Sequence, residues 1–330
     1  MTENTAATAF TGVTTPTGWA ASSASARAWG RRLIPFAALA LIIVVFTVLA
    51  GDRFASVGNA NFILQQAAVT TIPAIGVTLV IIAGSIDLSV GSVVALSGMA
   101  AAMASQSAGI VPAVLIGLGV GAVCGAVSGS VFAFAKIPSF IVTLGMLFVA
   151  RGVTVLISGS QPAKAESGLS ALGSAPGLYV VLAIVLLLSL VLMNFTTLGR
   201  QVLAIGGQER VAGLSGVPVA RLKLTVFMLA GLFAGLGGIV LAARVGAATP
   251  TAATGFELTA IAAAVLGGTP LTGGYGNLVG TFIGALTLTI LLNGLVILGV
   301  GPEMQTIVQG IVLVVAVWLS LDKRKLGIIK

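Results

Sequence analysis

Apolar runs, most of them about 17–25 residues long, fill this chain, and a run of that length is what an α-helix needs to cross the hydrocarbon core of a bilayer. They lie near Leu33 to Ala50, Phe62 to Ala83, Val90 to Ala108, Val111 to Ala135, Pro138 to Ser158, Leu178 to Phe195, Leu224 to Ala243, Glu257 to Leu271, Leu278 to Leu298 and Met304 to Leu321. Backbone polar groups in lipid must be satisfied internally, so the pattern predicts an all-α polytopic membrane protein with about ten transmembrane helices. Only 7% of the 330 residues are charged, against roughly a quarter in a soluble domain, which excludes a water-soluble fold.

Charge sets the expected orientation. Arg27, Arg31 and Arg32 precede the first run, and Lys323, Arg324 and Lys325 follow the last. Lys and Arg near span ends are retained in the cytoplasm, so both ends are expected inside, as an even count requires. Lys136 and the stretch 198–223 then fall inside, while Arg53, Lys164 and Arg244 fall outside. Three regions result: a polar cytoplasmic tail over 1–32, expected to be disordered, a transmembrane domain over 33–321, and a short cytoplasmic tail over 322–330. The arginines come after a long polar tail, so the first run reads as an uncleaved span and not as a signal peptide. The net charge of +8 is explained by this anchoring without nucleic-acid binding.

The stretch LGRQVLAIGGQERVAGLSGVPVARLK, 198–223, is the one extended polar run between spans. Gly206-Gly207 is expected to break the chain, Gln208 to Leu214 to form about two helical turns, and Gly216 with Pro218 to stop them. A short helix across the cytoplasmic face suits a contact with another protein. Val211 and Leu214, three residues apart, share a face.

Two interrupted regions carry polar chemistry. Asp87 lies between apolar runs with Ser85, Ser89 and Ser92 nearby. It reads either as a cap for the helix that follows or, with Ser89, as polar wall of a solute path. In AAAVLGGTPLTGGYGNLVG, glycines and Pro270 break a helical pattern beside Thr269, and non-helical backbone at that depth must be buried or face a watery cavity. Such broken or re-entrant segments resemble the interrupted helices of transporters. Arg151 reads as a snorkelling side chain or as part of the outer mouth. Asn293 and Gln309 read as interhelical hydrogen-bond partners, with Asn293, and Thr269 at the second break, also candidates on the solute path. Arg244 and Glu257 flank an outer segment that suits docking of an extracellular partner. Glycines recur every fourth residue at Gly117, Gly121, Gly125 and Gly129, and again at Gly276, Gly280 and Gly284, where they would admit a neighbouring backbone.

The chain has no histidine and a single cysteine, Cys124, which excludes an internal disulfide and a Cys/His metal site. No GxxxxGK[ST] phosphate loop occurs, so ATP hydrolysis by that route would belong to another polypeptide.

Four ordered blocks carry a family resemblance: GSIDLSVGSVVALSGMAAA, IPSFIVTLGMLFVARGVTVLISGSQP, the block from Leu198 to Arg244, and the block from Ala248 to Leu286. Together they resemble membrane permease subunits of ribose-type ABC sugar importers. The resemblance implies a non-enzymatic subunit of the bacterial cytoplasmic membrane that binds no cofactor itself, ATP and Mg being held by a partner ATPase. It implies an extracytoplasmic sugar-binding protein, a second permease copy and a monosaccharide such as ribose as partners. It places the ATPase-coupling segment at Gly207, Gln208, Glu209, Arg210, Val211, Ala212, Leu214, Ser215 and Gly216. A stand-alone secondary sugar transporter or channel is the alternative.

Overall fold

The computed structural model describes residues 35–320; the two expected tails lie outside the described residues. Eight helices among them are long and apolar enough to cross a membrane: α1 (Pro35–Arg53), α2 (Val57–Ile82), α3 (Val90–Ala108), α4 (Ile110–Phe134), α5 (Ser139–Ser158), α7 (Ala175–Phe195), α9 (Val219–Val245) and α11 (Leu278–Ile297). Two shorter apolar helices, α10 (Phe256–Leu266) and α12 (Pro302–Ser320), occupy the two remaining expected runs. The protein is an all-α multi-pass membrane protein. Three elements were not foreseen: α6 (Ser167–Gly173), and the two-residue strands β1 (Ala163–Lys164) and β2 (Ala247–Ala248), which pair antiparallel. The polar stretch forms α8 (Thr197–Leu214).

Helices α2, α3 and α9 are buried along most of their length, whereas α1 and α5 expose most of theirs. The exposed side chains of the outer helices include Val48, Phe148, Leu156 and Leu187, which suits lipid contact. At the centre the contacts are between backbones. A Cβ on Gly121 of α4 would strike the Gly231 carbonyl of α9, and one on Gly125 would strike that of Phe227. The first glycine ridge is therefore packing within one chain, as is the second, where Gly280 and Gly284 of α11 meet Gly267 and Ala263. Pro73, inside α2, fits because its ring fills the space left by Gly237 of α9.

Most buried threonines return their hydroxyl to their own helix. Thr71, Thr78, Thr154, Thr287 and Thr289 each donate to the carbonyl four residues earlier. This satisfies a polar group that lipid and neighbouring helices would leave bare.

Candidate transport and coupling site

The polar stretch is built as an elbow. Thr196 caps the start of α8, accepting from the Gly199 N–H, and helical geometry persists through Gly206 and Gly207. The break falls one residue later, at Gln208 (φ −159°, ψ 94°), and not at the glycine pair as expected. Residues 209–214 then form a short second helix, ended by Gly216 in the left-handed region (φ 85°) before Pro218 and α9. On this second helix Gln208, Glu209, Arg210, Val211, Leu214 and Ser215 are exposed and Ala212 is buried. Leu214 is 82% exposed, a large apolar side chain presented to whatever lies beyond the chain. Glu209 is held from within: Lys223 of α9 donates to its carboxylate at 2.7 Å, and the same ammonium lies 4.3 Å above the Phe132 ring of α4.

The glycine pair that should have broken the helix has another use. A Cβ on Gly206 would overlap the Ile82 carbonyl at the end of α2 and come within 2.6 Å of the Gly274 nitrogen. Gly274 and Gly273, both with positive φ, lie in the break between α10 and α11; a Cβ on either would come within 2.8 Å of Gly207 or 2.7 Å of Gly84. Gly274 also donates its N–H to the Ile82 carbonyl at 2.9 Å. The elbow therefore rests, backbone on backbone, against both interrupted regions at once. The sequence reading missed this junction; the recurrence of glycine at both breaks and at 206–207 was its signal.

Past Gly84 the chain runs extended beside the first turns of α5. Ser139 accepts from the Ile86 N–H and Thr143 from the Leu88 N–H, each at 3.1 Å. These two hydroxyls, one helical turn apart on α5, take the place of a β-partner for the exposed backbone. Asp87 is only 6% exposed, and its Oδ1 accepts from the N–H and the hydroxyl of Ser89 at 2.8 and 2.6 Å. Asp87 thus closes a turn just before α3, where the helix N-terminus favours negative charge. The N-cap of α3 is Ser89, without a side-chain cap bond, so Asp87 holds the residue that begins the helix and does not cap a helical N–H itself.

The second break is closed by Thr269, which is fully buried and accepts the Asn277 N–H at 3.2 Å. Helix α10 is accordingly only 11 residues long and stops at Leu266, short of the expected Leu271. Asn293 of α11 makes no interhelical hydrogen bond; its Oδ1 is buried without a partner among the described residues. Gln309 does bond across helices, its amide donating to Thr259 of α10.

At the opposite end of the helices, Arg244 does not stand on a free rim. It is half-buried, donates to Gln66 of α2 and lies over the Phe62 ring at 5.2 Å. Glu257, in the first turn of α10, reaches toward the start of α3: a Cβ on Gly91 would come within 2.5 Å of its Oε2. Arg151 does not snorkel away from its helix but donates to two carbonyls, of Pro250 and Ala252, both at 2.8 Å. Distance in sequence hid both partnerships.

The family described as the permease component of branched-chain amino acid transport systems matches residues 59–317. This chain belongs to that permease family. The ribose import permease protein of Escherichia coli strain K12 is 40% identical over 309 residues, spanning 90% of this permease and 96% of that relative. That of Bacillus subtilis strain 168 is 39% identical over 89% of this permease and 94% of its own length. The fructose import permease protein of Rhizobium meliloti is 35% identical over 89% and 86%. No solved structure matches the permease. The family match begins inside α2 and ends inside α12, so it takes in both breaks and the elbow.

Proposed function

We propose that this permease is the membrane subunit of an ATP-driven importer for a monosaccharide of the ribose class. The observation that carries the reading is the glycine junction, which seats the exposed elbow of α8 on both helix breaks. A partner pushing on 209–214 would act on the two non-helical segments that can line a path. The family description speaks of amino acids, but relatives matching over nearly their full length are named for ribose and fructose, which favours a sugar.

On this reading the partner is an ATPase that holds ATP and Mg, and it receives Val211 and Leu214 in an apolar cleft. The end bearing α8 and Lys136 faces the cytoplasm, and Lys164 faces outward. Asp87, Ser89 and Asn293 supply polar groups along the path, and Thr269 keeps its broken wall closed. A sugar-binding protein docks at the outer end, with Arg244 and Glu257 behind the contact surface and not on it. Helix α5 exposes most of its apolar length, which leaves a face for a second permease copy.

The test uses Val211→Asp in the full-length permease with its partner ATPase. Burying an unpaired carboxylate costs several kcal/mol. The ATPase should sediment with inside-out vesicles carrying the wild type, and at least about tenfold less with the variant. Equal sedimentation, or attachment to right-side-out vesicles instead, would refute the placement.

A further inference from the structure

The turn between β2 and α10, residues 249–255, is held in an unusual way. Pro250 and Ala252 direct their carbonyls at one nitrogen of Arg151, from a helix a hundred residues earlier. Ala253 follows with φ 53°, a left-handed conformation that a residue bearing a Cβ adopts only under constraint. Its carbonyl rests on Gly91, where a Cβ would come within 2.5 Å. The same residues border a cavity of about 230 Å3, lined by Val94, Gly98, Gly238 and Val245 together with Ala252 and Ala253. The turn is thus pinned by charge-assisted hydrogen bonds and adjoins open space.

We propose that Arg151 is a positioning residue that clamps the 249–255 turn over this cavity as an outer gate, and that releasing its two carbonyl contacts lets the strained turn swing off Gly91. The proposal rests on the transport reading for its purpose, not for its geometry. Arg151 lies about 18 Å along α5 from Ser139, so a shift of α5 against the first break moves the guanidinium relative to the turn. One helix therefore touches an interrupted segment with its first turns and the gate with its twelfth residue beyond.

The test uses the full-length permease in right-side-out vesicles without added ATPase. Cys124→Ser removes the native thiol, and Val94→Cys reports on the floor of the cavity, since Val94 is buried. A membrane-impermeant maleimide should label Val94→Cys about tenfold faster when Arg151→Gln is added, the response of a two-state opening to lost charge-assisted hydrogen bonds. Ala253→Gly relieves the backbone constraint, so alone it should slow labelling, and combined with Arg151→Gln it should reverse part of the gain. Leu178→Cys, buried away from the turn, serves as control and should stay unlabelled throughout. Unchanged labelling with Arg151→Gln, or a parallel rise at Leu178→Cys, would overturn the clamp. If Arg151→Gln does not accumulate, unchanged labelling with Ala253→Gly alone would overturn it. Labelled ribose uptake is scored separately, in vesicles that also hold the ATPase, ATP and the sugar-binding protein: a gate that responds as described without any ribose uptake by the wild type would leave the clamp standing and remove ribose as the substrate.

Discussion

The two ends of this permease are joined by opposite means. At the elbow of α8 the contacts are backbone to backbone among three segments: Ile82 with Gly84, Gly206 with Gly207, and Gly273 with Gly274. At the far end they are side chains reaching backbone or one another: Arg151 to the 249–255 turn, Arg244 to Gln66, Gln106 to the Lys164 carbonyl. A backbone junction has no slack, since its surfaces are already at contact distance, and it transmits displacement. A hydrogen-bonded clamp holds until its partners are exchanged, and then it lets go. The first suits a push rod, the second a latch.

The largest effect that would break this contrast is expected at Gly206. An added methyl meets main-chain atoms of Ile82 and Gly274, which cannot rotate away, and overpacking costs about 1–3 kcal/mol even where neighbours are side chains. Gly206→Ala should lower the midpoint of thermal unfolding in detergent by several degrees and abolish uptake, whereas Gly213→Ala, whose methyl would meet only the Val219 side chain at an ordinary 3.7 Å, should do neither. Equal tolerance of both would mean the junction is loose.

A smaller effect is expected at the brace between elbow and α9. The Lys223 side chain is 13% exposed and that of Glu209 54%, so the pair is only partly shielded from solvent. Partial exposure limits such a pair to about 1 kcal/mol. Lys223→Met retains the apolar packing on Phe132 but frees Glu209. The ATPase should still attach, and its hydrolysis should become less dependent on sugar and binding protein by about two- to threefold. Full retention of that dependence would show that the brace does not set the elbow's angle.

The smallest effect sharpens the role of Asp87. Asn accepts the Ser89 N–H and hydroxyl about as well as Asp, so Asp87→Asn should leave folded yield and uptake within about twofold of wild type if closing the turn is all that it does. Normal assembly with uptake lost would assign the carboxylate to the path.

Span lengths were legible because a bilayer imposes one number on every crossing segment. Nine of the ten expected runs overlap their helices to within about five residues, from Val90–Ala108 to Leu278–Ile297, while the tenth ends early because Gly267, Gly268 with positive φ, and Pro270 stop the helix after Leu266. Propensity misplaced the elbow. Gly206-Gly207 reads locally as a breaker, yet close packing on Ile82 and Gly274 keeps it helical and moves the break to Gln208. The partnerships of Arg151, Arg244 and Glu209 were hidden for a different reason: the partners lie 99, 178 and 14 residues away, and hydropathy gives no depth to the turns that supply them. Helix α6 was invisible because seven residues of mixed polarity carry no membrane signal.

The buried threonines have a mechanical consequence. A hydroxyl bonded to its own helix makes no demand on the neighbouring one, so most of the surfaces between spans present methyl groups and bare backbone, with Thr78 to Thr281 an exception at 2.8 Å. Such surfaces offer little friction. Helices that must slide past one another in every cycle give up dispersion contacts and regain equivalent ones a short distance away, without stripping and remaking polar bonds in a medium that has no water to lend.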